Sequence, residues 1–388
     1  MDSTPTHRPR VDAVDLARGL IMLVMALDHT RDFFGLPGAD PTNLATTTPA
    51  LFFTRWITHL CAPMFFLLIG TGARLSLRKQ SVAALSRFLV TRGLWLIVAE
   101  FTLARFAYQF NVDYHVTMLL VLWAAGWCMI ALAALVHLPA RAVVALGALI
   151  VAGHNLLDGA PLSGWWWTVL HQPGFLMNQP GRVVFAVYPI LPWLGVTALG
   201  YALGGIYAWD QGRRRAWLVR AGVALCVAFV VLRTVNWYGD SSRWSTQPSV
   251  LFTALSFLNT TKYPPSLLYL CMTLGPALLL LAWADRDDVG VLRPVVLVGR
   301  VPFFYYVVHF ASIHALAALV CVVRYGTLAP MTQSPDLGHY PFSAPAGWGN
   351  ALPVVYGAWL LIVFWMLPLC RWFAEVKQRY PSRLLSYL

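Results

Sequence analysis

Asp15, Arg18, Met22, Met25, His29 and Asp32 recur at three- and four-residue steps between positions 12 and 34, so they share one side of a helix. At a rise of 1.5 Å per residue, Arg18 and His29 stand roughly 16 Å apart along that stripe. The run Asp28-His29-Thr30-Arg31-Asp32 sets an imidazole between two carboxylates. Such neighbours can hold one tautomer and keep the ring basic, which is what taking a proton from a hydroxyl or an amine requires. Asp28 and Arg31 would also form an ordinary helix pair, which is the structural alternative.

A second imidazole, His59, lies in Trp56-Ile57-Thr58-His59-Leu60-Cys61-Ala62-Pro63. Pro63, four residues on, has no N–H, so the His59 carbonyl is released for another partner. His59 could stabilise an oxyanion or carry an acyl group. Gly70-Thr71-Gly72-Ala73-Arg74 follows, with small residues that admit a helix or a ligand against the backbone. At the other end of the first helix, Asp12 and Asp15 complement the helix dipole, and Asp15 can pair with Arg18. Arg18 could alternatively meet an anionic cofactor. Glu100, one of two glutamates, sits in an apolar run where it needs a partner or a proton. Proton relay and structural pairing both stay open for it. Lys262-Tyr263 opens a later apolar segment, and Tyr305 and His309 share a helix face one turn apart.

The elements that position these groups must lie in a membrane. The 388 residues are 59% hydrophobic and only 11% charged, against roughly 25% charged in a soluble domain. Long uninterrupted apolar runs exclude a β-barrel. The expected fold is all-α, a polytopic transmembrane bundle of about ten spans forming one domain over residues 1–388. The spans fall near 12–34, 50–73, 84–108, 115–136, 140–157, 183–208, 216–236, 264–284, 301–324 and 351–372. Segments 164–178 and 245–258 read as short re-entrant or surface helices, the first with an interfacial Trp165-Trp166-Trp167 run. The first span has charges at both ends and no small-residue cleavage site, so it is expected to be retained. Alternating sides from a cytoplasmic N-terminus places most Lys and Arg inside, which predicts both termini in the cytoplasm and explains the net charge of +12 without nucleic acid. Ionisable groups cost about 2.5–3.5 kcal/mol each at the centre of a span, so the charged stripe must face the bundle interior or a watery cavity. The six cysteines are scattered through apolar segments without a CxxC pair and read as small buried hydrophobes. No P-loop, GxSxG, HExxH, haem or zinc spacing is present, so neither a nucleotide-driven pump nor a metalloprotease is expected, and no metal.

The opening R-x-D-x-x-D-x-x-R-G from Arg10 to Gly19, the stretch before Pro63 and the F-F-L-L-I-G-T-G of 65–72 resemble the transmembrane acyltransferases related to heparan-alpha-glucosaminide N-acetyltransferase. The later K-Y-P-P-S-L and G-R-V-P-F-F-Y-Y-V-V-H blocks resemble the bacterial branch of that superfamily. The resemblance implies transfer of an acetyl or short acyl group from cytosolic acetyl-CoA to a hydroxyl or amine of an envelope sugar or lipid-linked acceptor, at a bacterial inner membrane. Human-type members carry a catalytic histidine between the first two spans. Here the corresponding loop, 35–54, has none, which points to His29 and His59 at its two ends.

The catalytic group is therefore expected to be His29 and His59 with Asp28 and Asp32. Arg18, Asp15, Arg74 and Arg300 are expected at the acyl donor, acetyl-CoA. Arg31, Lys262, Tyr263, Tyr305 and His309 are expected at the acceptor. A passage should connect the Arg18 end to the His29 end. Expected partners are membrane lipids and the acceptor, with a homodimer left open. The competing reading is a transporter or flippase for a small polar or lipid-linked molecule, with the charged stripe lining its path.

Overall fold

The computed structural model describes residues 12–286, 288–380, 382 and 385. Arg10 of the opening motif and both chain ends lie outside the described residues. Helix α1 is Asp12–Phe34 and α2 is Pro49–Thr58; α3 is Cys61–Ser76. Next come α4 (Val82–Ala99) and α5 (Arg105–Gln109), joined by a π-helical turn at Glu100–Ala104. They are followed by α6 (Val121–Leu135), α7 (Ala140–Gly153), α8 (Trp165–Leu170) and α9 (Ile190–Leu203). The remainder is α10 (Gln211–Val235), α11 (Val250–Leu258), α12 (Leu267–Ala284), α13 (Arg293–Arg300), α14 (Pro302–Tyr325) and α15 (Leu352–Arg379).

Among the described residues, eight helical segments are long and apolar enough to cross a membrane. Two of the expected spans fall outside that group: α1, which carries charges at both ends, and α6, which is 15 residues long. Side-chain caps start the helices where the sequence supplies them. Thr48, Ser81, Asp210, Ser249 and Ser266 each accept from a backbone N–H in the first turn of the helix that follows. The expected span at 50–73 is broken at His59-Leu60, one turn before Pro63.

The sequence reading differs from the structure at one end of the bundle. Residues 116–119 and 183–186, expected within spans, and part of the expected surface helix 164–178 form a three-stranded sheet: β1 (Val116–Leu119), β2 (Gly174–Gln179) and β3 (Arg182–Ala186). The order is β1-β3-β2, parallel for β1 and β3 and antiparallel for β2 and β3. Pro180-Gly181, with Gly181 at φ +74°, makes the turn of the β2–β3 hairpin. Short apolar, β-branched runs such as Val-Thr-Met-Leu cannot be told from a span end by hydrophobicity alone.

Helix α1 lies in the middle, packed against α2, α3, α12, α13, α14 and α15. Asp15, Met22 and Met25 of the stripe are buried and Arg18 and His29 are half-buried, so it faces the interior as far as its last member, Asp32, which is exposed. Reciprocal glycines bring helix backbones into contact. A Cβ on Gly19 would lie 2.0 Å from the Val295 carbonyl oxygen, and one on Gly299 1.9 Å from that of Asp15, which fixes α1 against α13. Gly70 and Gly200 do the same for α3 and α9, at 1.9 and 2.0 Å from the Thr197 and Leu67 carbonyl oxygens. Gly72, the other small residue of that segment, meets nothing within 4 Å.

Candidate functional site

At the His29 end of α1 a cavity of about 200 Å³ opens, with Asp28, His29, Arg31, Asp32, Lys262 and Tyr263 among its lining. Residues expected from two separate stretches of sequence, 28–32 and 262–263, thus converge. Arg55 of α2 and Tyr306 and Phe310 of α14 also line it, and Leu120 and Tyr188 enter from the ends of β1 and β3. Two wider vestibules adjoin it. One, of about 540 Å³, shares Arg31, Asp32 and Tyr108 and is bordered by residues 35–39 and 340–342. The other, of about 460 Å³, shares Arg31, Arg55, Lys262 and Tyr263 and reaches His59.

The ring of His29 is fixed by a chain of contacts that assigns its tautomer. Nδ1 of the fully buried His309 lies 2.8 Å from the backbone carbonyl oxygen of Tyr305. A carbonyl can only accept, so that nitrogen carries the proton, and Nε2 of a neutral His309 is an acceptor. His29 Nδ1 lies 2.7 Å from that Nε2 and therefore donates to it. The remaining nitrogen of His29, Nε2, is left with its lone pair on the ring that lines the cavity. Phe310 stacks on the His29 ring at 4.0 Å between centroids and holds its plane. Tyr305 and His309, expected at the acceptor, do not line the cavity; both are fully buried behind His29.

Asp28 does not orient the imidazole by a hydrogen bond. It is clamped between Arg31, at 3.0 Å, and Arg55. Asp32 pairs with Arg31 at 2.8 Å. Arg55 was not anticipated from sequence, because its partner lies 27 residues away on another helix. Lys262 has no carboxylate within 4 Å among the described residues and lies over the Tyr263 ring at 5.1 Å. The lining thus holds three cations, Arg31, Arg55 and Lys262, against two carboxylates. Tyr263, outside the spans, feels that excess. Burial alone would raise its phenol, but Lys262 and Arg55 bring it below its ordinary value.

The loop bearing Lys262 is held from behind. Arg233, 1% exposed at the end of α10, donates to the carbonyl oxygens of Phe257 (2.9 Å), Ser242 (2.7 Å), Ser256 (3.1 Å) and Asn259 (2.8 Å). It thereby satisfies the carbonyl end of α11. Asp240 accepts from the Thr261 backbone N–H (2.9 Å), the Thr261 hydroxyl (2.7 Å) and the Ser266 hydroxyl (2.7 Å).

His59 is 3% exposed and lines the second vestibule rather than the inner cavity. Its carbonyl, released by Pro63, accepts from the Tyr269 hydroxyl at 2.8 Å. Glu100 caps the start of α6. Its Oε2 accepts from the backbone N–H groups of Leu122 (2.8 Å) and Trp123 (3.0 Å).

At the opposite end of α1, Arg18 donates to Asp15 (3.1 Å) and to the Gly299 carbonyl (2.8 Å). Arg300 reaches Asp12 at 2.7 Å and Asp15 at 3.6 Å. These groups bind α1 to α13. Arg74 is elsewhere, donating to the Tyr201 hydroxyl at 3.2 Å. Of the four residues expected at the acyl donor, Arg300 alone lines the cavity of about 720 Å³ at this end, with Arg293 and Arg371. That cavity and the one at His29 share no lining residue. Between them along α1 lie the buried Ile21 and Met22. Cys61, whose thiol meets the Ile21 carbonyl at 3.5 Å, lines the floor of the His29 cavity. The expected passage is filled with side chains in this structure.

The sequence model of one family, described as Heparan-alpha-glucosaminide N-acetyltransferase, catalytic, matches residues 10–238. The match takes in α1 to α10 and, with them, Asp28, His29, Arg31, Asp32, Arg55 and His59. No curated protein matches the chain.

Proposed function

The chain belongs to the heparan-alpha-glucosaminide N-acetyltransferase family, a group of membrane acetyltransferases, and from that premise we propose that it moves an acetyl or short acyl group from cytosolic acyl-CoA to a hydroxyl or amine of an envelope sugar or lipid-linked acceptor. The observation that carries this reading is the His29–His309 contact. It leaves a basic imidazole nitrogen directed to a small cavity under three cations.

Residues 1–388 act as one unit in this reading, with both termini in the cytoplasm of a bacterium and His29 toward the outer face of its inner membrane. The acceptor enters by one of the two vestibules. Arg31 and Lys262 bind its polar groups; Nη1 of Arg31 is buried without a hydrogen-bond partner, which leaves a donor for it. Tyr263 and Tyr188, joined by a 3.3 Å hydroxyl contact, form the facing wall. His29 Nε2 takes the proton of the attacking hydroxyl or amine. The imidazolium that forms keeps its Nδ1–H on His309 and gives its Nε2 proton to the sulfur of coenzyme A as the carbon–sulfur bond of the thioester breaks. Arg55 and Lys262 supply positive charge where the oxyanion develops. His59 lines the second vestibule, so an oxyanion-stabilising or acyl-carrying role for it needs the wall between the two chambers to open.

The donor's phosphates suit the guanidinium-lined cavity of Arg293, Arg300 and Arg371. When bound, acyl-CoA supplies an activated carbonyl. Ile21, Met22 and Met25 must repack for an acyl group to approach His29, and methionine is the side chain best suited to do so.

The test uses full-length protein in lipid nanodiscs with labelled acetyl-CoA and sugar or lipid-linked acceptors. Transfer that is lost in His29→Ala, with folding retained, supports the proposal. Transfer unaffected by that change refutes it. Acceptor crossing proteoliposomes without acetyl-CoA would instead support transport.

A further inference from the structure

Away from the cavity, two histidines and an aspartate converge where α7 ends. His154 opens a single 3₁₀ turn, His154–Leu157, after α7; Asp158 closes that turn, and His171 follows α8. One potential ligand atom from each lies within 4.8 Å of the other two. His154 is 2% exposed and His171 is fully buried. Yet neither ring nitrogen of His154, nor Nδ1 of His171, nor Oδ1 of Asp158 has a hydrogen-bond partner among the described residues. Buried polar atoms are ordinarily paired, so four orphans in one place call for an occupant.

The surroundings hold this set in place. Asn155 donates to Asp158 Oδ2 at 2.8 Å, which leaves Oδ1 turned to the histidines. His171 Nε2 donates to the His154 carbonyl at 2.9 Å and lies 3.6 Å from Asp158 Oδ1. Trp167 stacks on the His171 ring at 4.6 Å. Fixed outer partners of this kind are what orient metal-ligating side chains.

We propose that His154, Asp158 and His171 form a binding site for a divalent transition-metal ion of the zinc class. Two imidazoles and one carboxylate suit such an ion and not magnesium or calcium, which select oxygen ligands. A tetrahedral zinc stands about 2.0–2.1 Å from each nitrogen ligand and so needs its ligand atoms roughly 3.3 Å apart. Binding therefore has to draw the three side chains together, with Nδ1 the free nitrogen of His171. The site fastens α8 to the end of α7. It also adjoins the Lys262 loop, because Asn155 Oδ1 accepts from the Leu267 backbone N–H at 2.8 Å. The proposal is independent of the acyl-transfer reading. Local spacing does not point to the site, because His171 is supplied by a separate turn, 13 residues beyond Asp158.

The test uses the full chain with its purification tag removed, stripped with EDTA and titrated with ZnCl₂ by calorimetry and with CoCl₂ by visible absorption. One equivalent should bind, with the intense visible bands of four-coordinate cobalt, and zinc should raise the unfolding temperature while MgCl₂ does not. His154→Ala and His171→Ala should each weaken zinc binding by more than about tenfold and remove the thermal shift. Asp158→Asn, which preserves shape, provides the same comparison if a histidine variant fails to fold. Absence of saturable zinc binding in the wild-type chain overturns the proposal. So does binding whose affinity and stoichiometry are unchanged in folded variants.

Discussion

Replacing His309 by alanine tests the reasoning about His29 most directly. His309 touches neither vestibule nor cavity, so a role in holding the acceptor gives it no effect on KM. Its Nε2 accepts the Nδ1–H of His29 at 2.7 Å. During proton transfer His29 becomes an imidazolium, and a hydrogen bond to a charged group contributes about 1.5–3 kcal/mol. At about 1.36 kcal/mol per factor of ten in rate, its loss should lower kcat by about 10- to 150-fold. Removal of His29 itself should cost more, about 10²- to 10⁴-fold, the usual contribution of a general base. His309→Gln keeps a side-chain oxygen that can accept from His29 and should recover part of the loss. The assay is acetyl-CoA-dependent transfer in nanodiscs, with kcat and KM separated and thermal unfolding measured alongside, because truncating a buried ring also leaves a void. A His309→Ala protein that is folded and as fast as wild type would refute the relay. A rise confined to KM, with kcat unchanged, would also refute it and return His309 to the acceptor site.

Other expectations follow from the same geometry. Glu100→Gln should retain acyl transfer at near wild-type rate and lose about 0.5–2 kcal/mol of stability, as the acceptor that caps the start of α6 is weakened; a large fall in kcat would instead mark a proton relay. Gly70→Val should cost about 1–3 kcal/mol or more and reduce the yield of monodisperse protein, whereas Gly72→Ala should not, as judged by size-exclusion chromatography and thermal unfolding. Arg233→Ala strips four carbonyl oxygens of their donor and should speed amide hydrogen exchange across 240–266 while raising KM more than it lowers kcat.

The inward-facing stripe of α1 was legible because charge at helical period in a membrane-length segment has one inexpensive orientation. The release of the His59 carbonyl by Pro63 was equally local, and Tyr269 takes it up. What depends on distant partners was not legible. Arg55 lies in an amphipathic run that resembles any interfacial helix, and only the fold shows Asp28 opposite it. His309 was placed at the acceptor because it shares a face with Tyr305, whereas the helix turns that face toward α1 and away from the cavity. Arg18 carries a charge suited to a phosphate ligand but, with Asp15, serves the α1–α13 joint, which the Gly19 and Gly299 contacts make too close for anything else. The sheet was hidden because its strands read as the ends of apolar spans.

The glycine contacts divide the molecule into two kinds of neighbourhood. Where α1 meets α13 and α3 meets α9, main chain rests on main chain, and almost any exchange of residue is punished. Helices α2 and α14, which supply Arg55, Thr58, Tyr306 and Phe310 to the chamber, contain no glycine and are spaced by side chains alone. A lineage can therefore recut the chamber for a new acceptor, one residue at a time, while the frame around it stays fixed.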